Sequence, residues 1–450
     1  MNFNRLIAIL SMCLVLKSPI VFADLYSATT AYQSKNYKTA FRAFEQLAQL
    51  GNADAMYNLA VMSLHGQGTA PSKPKAYAWF MLASEFGLDD AQQTAQLVLQ
   101  SYDDTQAMID MYQTMQKIYS YDVTAKLLYP SNTRNKKNQH SLERTSYISP
   151  TYPDEARRLG LEGWVWAEFD IDDSGKVTDI SIVDSHPKNT FTLSIINALP
   201  HWKYLTSAPI SNRSLTYHFT TYKGKQYDKS FHAQKLEYQR EITKHIDAAE
   251  QGNGRIQYYI SQWLSSEEYN ASKLLKYHWR EPHADSALLL ASAKNNYPLA
   301  QYKLATSLLS GSNSAEDQNV GLNWLHKAAE QDLAVAQYRL GLSYLQKTAQ
   351  HYAPNQGIKW LTRAATLQHF RAIIALVDAL INAQVSPAKI IPWLDKGLSQ
   401  DSTHPTLLLY KSKLTKEPSQ AKRLANQARE AALSRAWSTT SIDAFIASLN

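Results

Sequence analysis

Among its 450 residues the chain has a single cysteine, Cys13. It lies in the first apolar stretch, so the chain that follows that stretch has no thiol. A disulfide framework, a thiol nucleophile and a cysteine-based zinc site are therefore excluded. Long apolar runs are also missing. Residues 6–16 form an apolar run preceded by Arg5 and interrupted by Lys17 and Pro19. Crossing a bilayer takes about 20 residues, so this run is short and has the form of a secretory leader. "VFA" places Ala23 at −1 and Val21 at −3 of a cleavage site before Asp24. Cleavage there is the expectation, and an uncleaved inner-membrane anchor is the alternative. An exported chain without cysteines points to a bacterial periplasm.

Catalytic motifs are lacking as well. No phosphate loop, lipase elbow or zinc-protease motif occurs. "KYHWREPHAD" holds His278, His283 and Asp285, but the histidines are five apart and no third ligand stands near. No metal site is expected from them. "DIDDSG", residues 170–175, lacks the twelfth-position glutamate of a calcium loop and reads as a hairpin turn. No enzyme activity, cofactor or small-molecule substrate is expected. The net charge of +7 is mild and forms no basic stripe, which argues against nucleic acid. The basic segment "NTRNKKNQHSLER", residues 132–144, reads as a solvated linker.

What is present is internal repetition. "LAQYKLATSLLSG" at Leu299 recurs as "VAQYRLGLSYLQ" at Val335. Tyr302 maps to Tyr338, Leu304 to Leu340, Trp324 to Trp360 and Ala328 to Ala364, each 36 residues on. Upstream, Tyr57 precedes Trp79 by 22 residues, the same spacing as Tyr302 to Trp324. A fourth copy begins at Ala372, and residues 247–296 read as a degenerate copy with an insertion. The apolar residues recur at helical spacing, so each copy is a helical hairpin that needs its neighbours to bury both faces. Residues 25–50 read as a further hairpin, and residues 405–449 as helices capping the stack. A methionine-rich helix at residues 107–128 reads as core packing. These copies resemble the Sel-like repeats, relatives of the tetratricopeptide repeats, most closely at residues 51–87 with the "GQG" turn of Gly66 and Gly68. That resemblance implies a superhelical scaffold that binds partners.

Between the helical blocks lies "YPDEARRLGLEGWVWAEFDIDDSGKV". Pro153 suits a first helical position, and Gly160 ends a short helix. "GWVWAEFDI" alternates, with Val165, Ala167, Phe169 and Ile171 on one face and Trp164, Trp166 and Glu168 on the other. "DDSGK" is a hairpin turn and "VTDISIVDS" the returning strand. Phe191, Ile195, Ala198, Leu199 and Trp202 share a helical face. Residues 214–220 form the last strand. The order is α-β-β-α-β.

This order, with its "YP..AR..G.EG.V...F.ID..G.V.D..IV.S" pattern, resembles the TonB C-terminal domain. The resemblance implies a periplasmic domain that grips the N-terminal box peptide of an outer-membrane transporter by adding it to a sheet edge. On that analogy the last strand is the contact edge, with Leu215, Tyr217 and Phe219 contributing packing or serving as core. Trp164 and Trp166 form either an exposed aromatic patch or a surface packed against the repeats. The chain departs from a standard energy transducer. It has no Ser-x-x-x-His pattern in the leader and no proline-rich spacer, and its domain is internal.

The expected fold is helical-hairpin repeat blocks flanking one small α+β domain. The boundaries are a leader at 1–23, repeats at 24–130, a basic linker at 131–145, the TonB-like domain at 146–222, a helical connector at 223–295, and repeats with a cap at 296–450. The expected function is a periplasmic binding or adaptor protein whose repeats dock a second partner or fix the domain's position. Outer-membrane transporters and inner-membrane motor proteins are the candidate partners, and a strand-swapped homodimer is left open. The alternatives are a membrane-tethered energy transducer and a repeat scaffold regulating envelope enzymes.

Overall fold

The computed structural model describes residues 23–131, 142–206, 208–221, 236, 240–310, 314–349 and 351–449. Residues 1–22 of the expected leader, most of the expected basic linker, the start of the expected connector and residues 311–313 lie outside the described residues. Among those described, no helix is long and apolar enough to cross a membrane.

Hairpin after hairpin forms where the 36-residue register predicts it. Pro298–Leu309 pairs with Ala315–Glu330, Ala334–Leu345 with Pro354–Thr366, and Phe370–Asn382 with Pro387–Gln400. Gly254–Leu264 and Ala284–Lys294 form the degenerate hairpin, with Asn270–Leu275 inserted between them. Pro405–Leu414, Pro418–Ser434 and Thr440–Ser448 close the stack. Proline opens five of these helices, where its missing N–H would have had no helical partner.

A side-chain device repeats with the register. Gln257, Gln301 and Gln337 each donate to the backbone carbonyl eight residues earlier, at Ala249, Ala293 and Ala329. Each bond ties the start of one helix to the end of the preceding one and leaves no buried amide donor unmet.

The N-terminal block comprises Leu25–Gln33, Tyr37–Ala48, Ala53–His65, Lys73–Glu85, Asp89–Gln100, Thr105–Tyr119 and Tyr121–Leu128. Gly66 caps Ala53–His65 in the left-handed region at φ 67°, which a Cβ would strain. Met108 is fully buried, with Tyr112 and Met115 packed on the same cluster. This block leans on the later repeats through buried polar contacts. Asn52 donates to Asn295 Oδ1 at 2.8 Å, and Trp324 Nε1 donates to the Leu128 carbonyl at 2.7 Å.

The α+β unit follows the expected order, with two small additions. Its strands are β1 (Arg144–Ser146), β2 (Gly163–Ile171), β3 (Val177–His186), β4 (Lys203–Tyr204) and β5 (Ile210–Phe219). β1 and β4 pair with each other. The main sheet is antiparallel in the order β3-β2-β5, so β2 is central. The turn between β2 and β3 depends on Asp172. Its Oδ1 accepts from the Ser174 and Lys176 amides while Gly175 takes φ 85°. Helices Asp154–Arg158 and Thr192–Ala198 cover one face of the sheet. Pro153 sits one residue before the first of these, as its N-cap, not within it.

Candidate functional site

Alternation along β2 sends two different sets of side chains to the two faces of the sheet. Val165, Ala167, Phe169 and Ile171 join Phe191, Ile195, Leu199 and Trp202 in the core beneath the helices. Trp164, Trp166, Glu168 and Asp170 point the other way, where a lone sheet would meet water. Here the first helices of successive repeats cover that face.

The contacts run down the stack in order. Trp164 packs edge-on against Trp263, with ring centroids 5.6 Å apart. Tyr269 donates its hydroxyl to the Gly163 carbonyl at 2.8 Å, and Asn270 reaches the buried Glu162 carboxylate at 2.7 Å through its side chain. Trp166 stacks on Tyr302 at 5.3 Å, and the Lys303 ammonium lies 4.2 Å from the Trp166 ring centroid. Tyr302 donates to Glu168 at 2.7 Å. Arg339 donates to the Asn212 carbonyl at 3.0 Å and pairs with Glu168 at 3.6 Å. Arg371 pairs with Asp170 and donates to Asn212 Oδ1 at 3.0 Å. His404 meets Asp179 at 2.9 Å, and the Ser438 amide donates to Asp172 Oδ2 at 2.8 Å.

Charge sets the chemistry of this joint. Burial pushes the Asp170 carboxyl up, and Arg371 opposes that shift. Burial alone would lower Arg371, but Tyr338 and the carboxylates of Asp170, Glu168 and Asp179 outweigh it and hold the guanidinium charged. Burial would likewise raise Asp179, but the His404 hydrogen bond holds it below the usual carboxylate range. Lys303 is pushed down to about 8 by burial, against the pull of Asp184 and Glu168. His186 and His218 are both pushed down to about 4 by burial, so they are neutral at physiological pH.

Each sequence-predicted contact residue can now be placed. Trp164 and Trp166 have no exposed surface. Of the two sequence-based alternatives, the exposed patch and the packed one, they adopt the second. The surface they meet belongs to this chain's own repeats. Phe219 is 2% exposed and stacks on Phe191 at 4.3 Å, so it is core. Leu215 and Tyr217 are part-buried against the helix layer, and Tyr217 lies 3.4 Å from the Ser149 hydroxyl. Among the described residues β5 pairs only with β2, so its outer edge carries no further strand. His278, His283 and Asp285 form no cluster of three metal-binding groups, and no such cluster occurs among the described residues.

Sequence reasoning missed the cations and carboxylates of the joint. A faint signal was there. The two later matched repeats carry a cation directly after the packing tyrosine, Lys303 after Tyr302 and Arg339 after Tyr338, whereas Tyr57 is followed by Asn58. β2 sets Glu168 and Asp170 on the same face as its tryptophans. Neither pattern by itself says that one faces the other.

Comparison with known proteins matches this division. Residues 148–220 match the family described as Gram-negative bacterial TonB protein C-terminal. Residues 53–85, 298–333 and 334–369 match the Sel1 repeat. Protein TonB of Yersinia enterocolitica is 39% identical over 59 residues, which are 13% of this chain and 23% of that protein. Protein TonB of Klebsiella pneumoniae is 30% identical over 74 residues, 16% of this chain and 30% of that protein. The chain thus spans less than a third of the length of either relative. Among solved structures, a Sel1 repeat protein from Oxalobacter formigenes aligns over 43% of this chain and 80% of its own, at 16% identity and a TM-score of 0.35. A protective antigen of uropathogenic Escherichia coli with an SLR fold aligns over 90% of this chain and 68% of its own, at 16% identity and a TM-score of 0.34. Both families are non-catalytic and imply protein partners: the chain combines a TonB C-terminal domain with Sel1 repeats.

Proposed function

We propose that this protein is a periplasmic adaptor that binds an extended peptide by strand addition at the outer edge of β5. The observation that carries this reading is the strand order β3-β2-β5, which leaves one side of β5 without a partner strand among the described residues. An open edge offers backbone N–H and C=O groups that pair with a peptide of many sequences. Leu215 and Tyr217, on the helix-layer side, add packing beneath the incoming strand. The N-terminal box of an outer-membrane transporter is the peptide that the family resemblance brings forward.

In this reading the later repeats serve chiefly to mount the domain. Repeat stacks commonly offer an extended inner surface to a partner. Here the sheet occupies the first-helix surface of the later repeats, through Trp166 on Tyr302 and Asp170 on Arg371. A second partner docks elsewhere, on the N-terminal repeats or the outer helices.

A photoreactive residue at Tyr217, activated in intact cells, tests the reading. The expected product is a crosslink to an extended segment of another envelope protein. Crosslinks confined to this chain's own repeats overturn it.

A further inference from the structure

The repeats do more at β5 than close one face. Thr216 and His218 are two of the β5 side chains that point toward the repeats, and both line a pocket of about 210 Å³. The opposite wall comes from the hairpin of Gly254–Leu264 and Ala284–Lys294 and from Pro298–Leu309, through Gln262, Asp285, Ser286 and Lys303. The volume is roughly the liquid share of seven water molecules, enough for one polar side chain. Most of the lining side chains carry a polar group, with Leu289 the apolar exception, unlike the aromatic joint beside it.

A strand paired to the outer edge of β5 lies about 4.8 Å from it, and its alternate side chains share the face of Thr216 and His218. Those side chains overhang this pocket. Lys303 decides what suits it. Its ammonium carries three donors, yet its one hydrogen bond among the described residues goes to Thr216 Oγ1 at 2.5 Å. Its other neighbour is the Trp166 ring. No carboxylate lies within ion-pairing distance of it among the described residues. Glu168 is engaged by Tyr302 and Arg339, and Asp184 by Trp164. Burial lowers the Lys303 pKa to about 8, as expected of an ammonium short of partners.

We infer that this pocket, shared between the sheet edge and the repeats, selects an acidic side chain on the peptide strand added at β5. The inference rests on strand addition and adds to it a sequence preference supplied by the repeats. An incoming Asp or Glu carboxylate accepts from Lys303, with Gln262 and Ser286 as further donors. Asp285, on the same wall, opposes a second acidic group.

The test is a display selection of random nonapeptides on the full mature chain, followed by affinity measurements on the recovered peptides. The expected peptides carry Asp or Glu at one position between apolar or β-branched residues. Replacing that acid by its amide costs about tenfold in affinity, the worth of one charge-assisted hydrogen bond. Lys303→Met erases that tenfold difference. Asp285→Asn acts in the opposite direction, strengthening the acidic peptide severalfold, so the outcome does not depend on Lys303→Met folding well. Peptides that bind without an acidic preference, or whose preference survives Lys303→Met, overturn the pocket and leave strand addition standing. Free glutamate competing as well as the peptide also overturns it, because the site would then be independent of a strand. Recovery of no peptide at all overturns strand addition and the pocket together.

Discussion

The Tyr302 hydroxyl donates to the Glu168 carboxylate at 2.7 Å, although the two residues are 134 apart in the chain. Tyr302 belongs to the repeats and Glu168 to the central strand of the sheet. The bond is fully buried and is flanked by Trp166 stacked on the same tyrosine. Burying a carboxylate costs several kcal/mol unless it is paired and hydrogen-bonded. Glu168 meets that condition only when the sheet is seated on the repeats, so folding of the unit and its docking are coupled.

Arg371 should be the most sensitive polar position of the joint. Its side chain is 3% exposed and stands between Asp170 and Glu168. Arg371→Met leaves Asp170 without its cation and Glu168 with Arg339 alone, at a cost of about 3–5 kcal/mol. The denaturation midpoint in urea should fall accordingly. Adding Glu168→Gln and Asp170→Asn to the same chain should recover most of the loss. A single variant as stable as the parent would contradict the coupling.

Trp166→Ala should cost about 3–5 kcal/mol, as for other large-to-small changes in a packed interior. The same change at Leu215, which is only part-buried, should cost less. Chemical denaturation of both variants checks the order. If Leu215→Ala proves the more damaging, the sheet's main anchorage lies on its helix layer and not on the repeats.

Acid should loosen the joint before it unfolds other parts. His186 and His218 are held at about 4 in the folded chain against an ordinary 6.5. Between those values the unfolded chain binds more protons, so stability rises with pH there. It is lost as pH falls from about 6.5 through 4, and is fully present above 6.5. Melting temperature measured across that window should drop toward the acid end. His218→Gln should flatten part of the slope. A melting temperature constant from pH 7 to 4 would refute this assignment.

Trp324→Phe should detach the N-terminal block without disturbing the sheet. It removes the donor to the buried Leu128 carbonyl, at a cost of about 1–3 kcal/mol. Hydrogen exchange should speed up in Tyr121–Leu128 while β2 keeps its protection. Uniform acceleration over both would mean that the block and the sheet open as one unit.

The sequence alone determined the parts. The 36-residue register, the tyrosine-to-tryptophan spacing and the α-β-β-α-β order were legible because helical period, strand alternation and turn chemistry are local. Asp172 and Gly175 declared their turn for the same reason. The last strand was less legible: it starts at Ile210, four residues before the alternation from Ser214 suggests. Asn212 takes a left-handed φ of 59° beside a register shift, which breaks the period. Its amide is held by Asp170 and its side chain by Arg371. Only the tertiary structure decided where the second face of the sheet goes. By sequence, Trp164 and Trp166 read equally well as an exposed patch or a surface packed against the repeats, and Glu168 only as their neighbour on that face. Their partners come from hairpins about 100 to 200 residues later. No local pattern encodes which cation a given carboxylate will meet, because that pairing is set by how the repeats stack and where they seat the sheet.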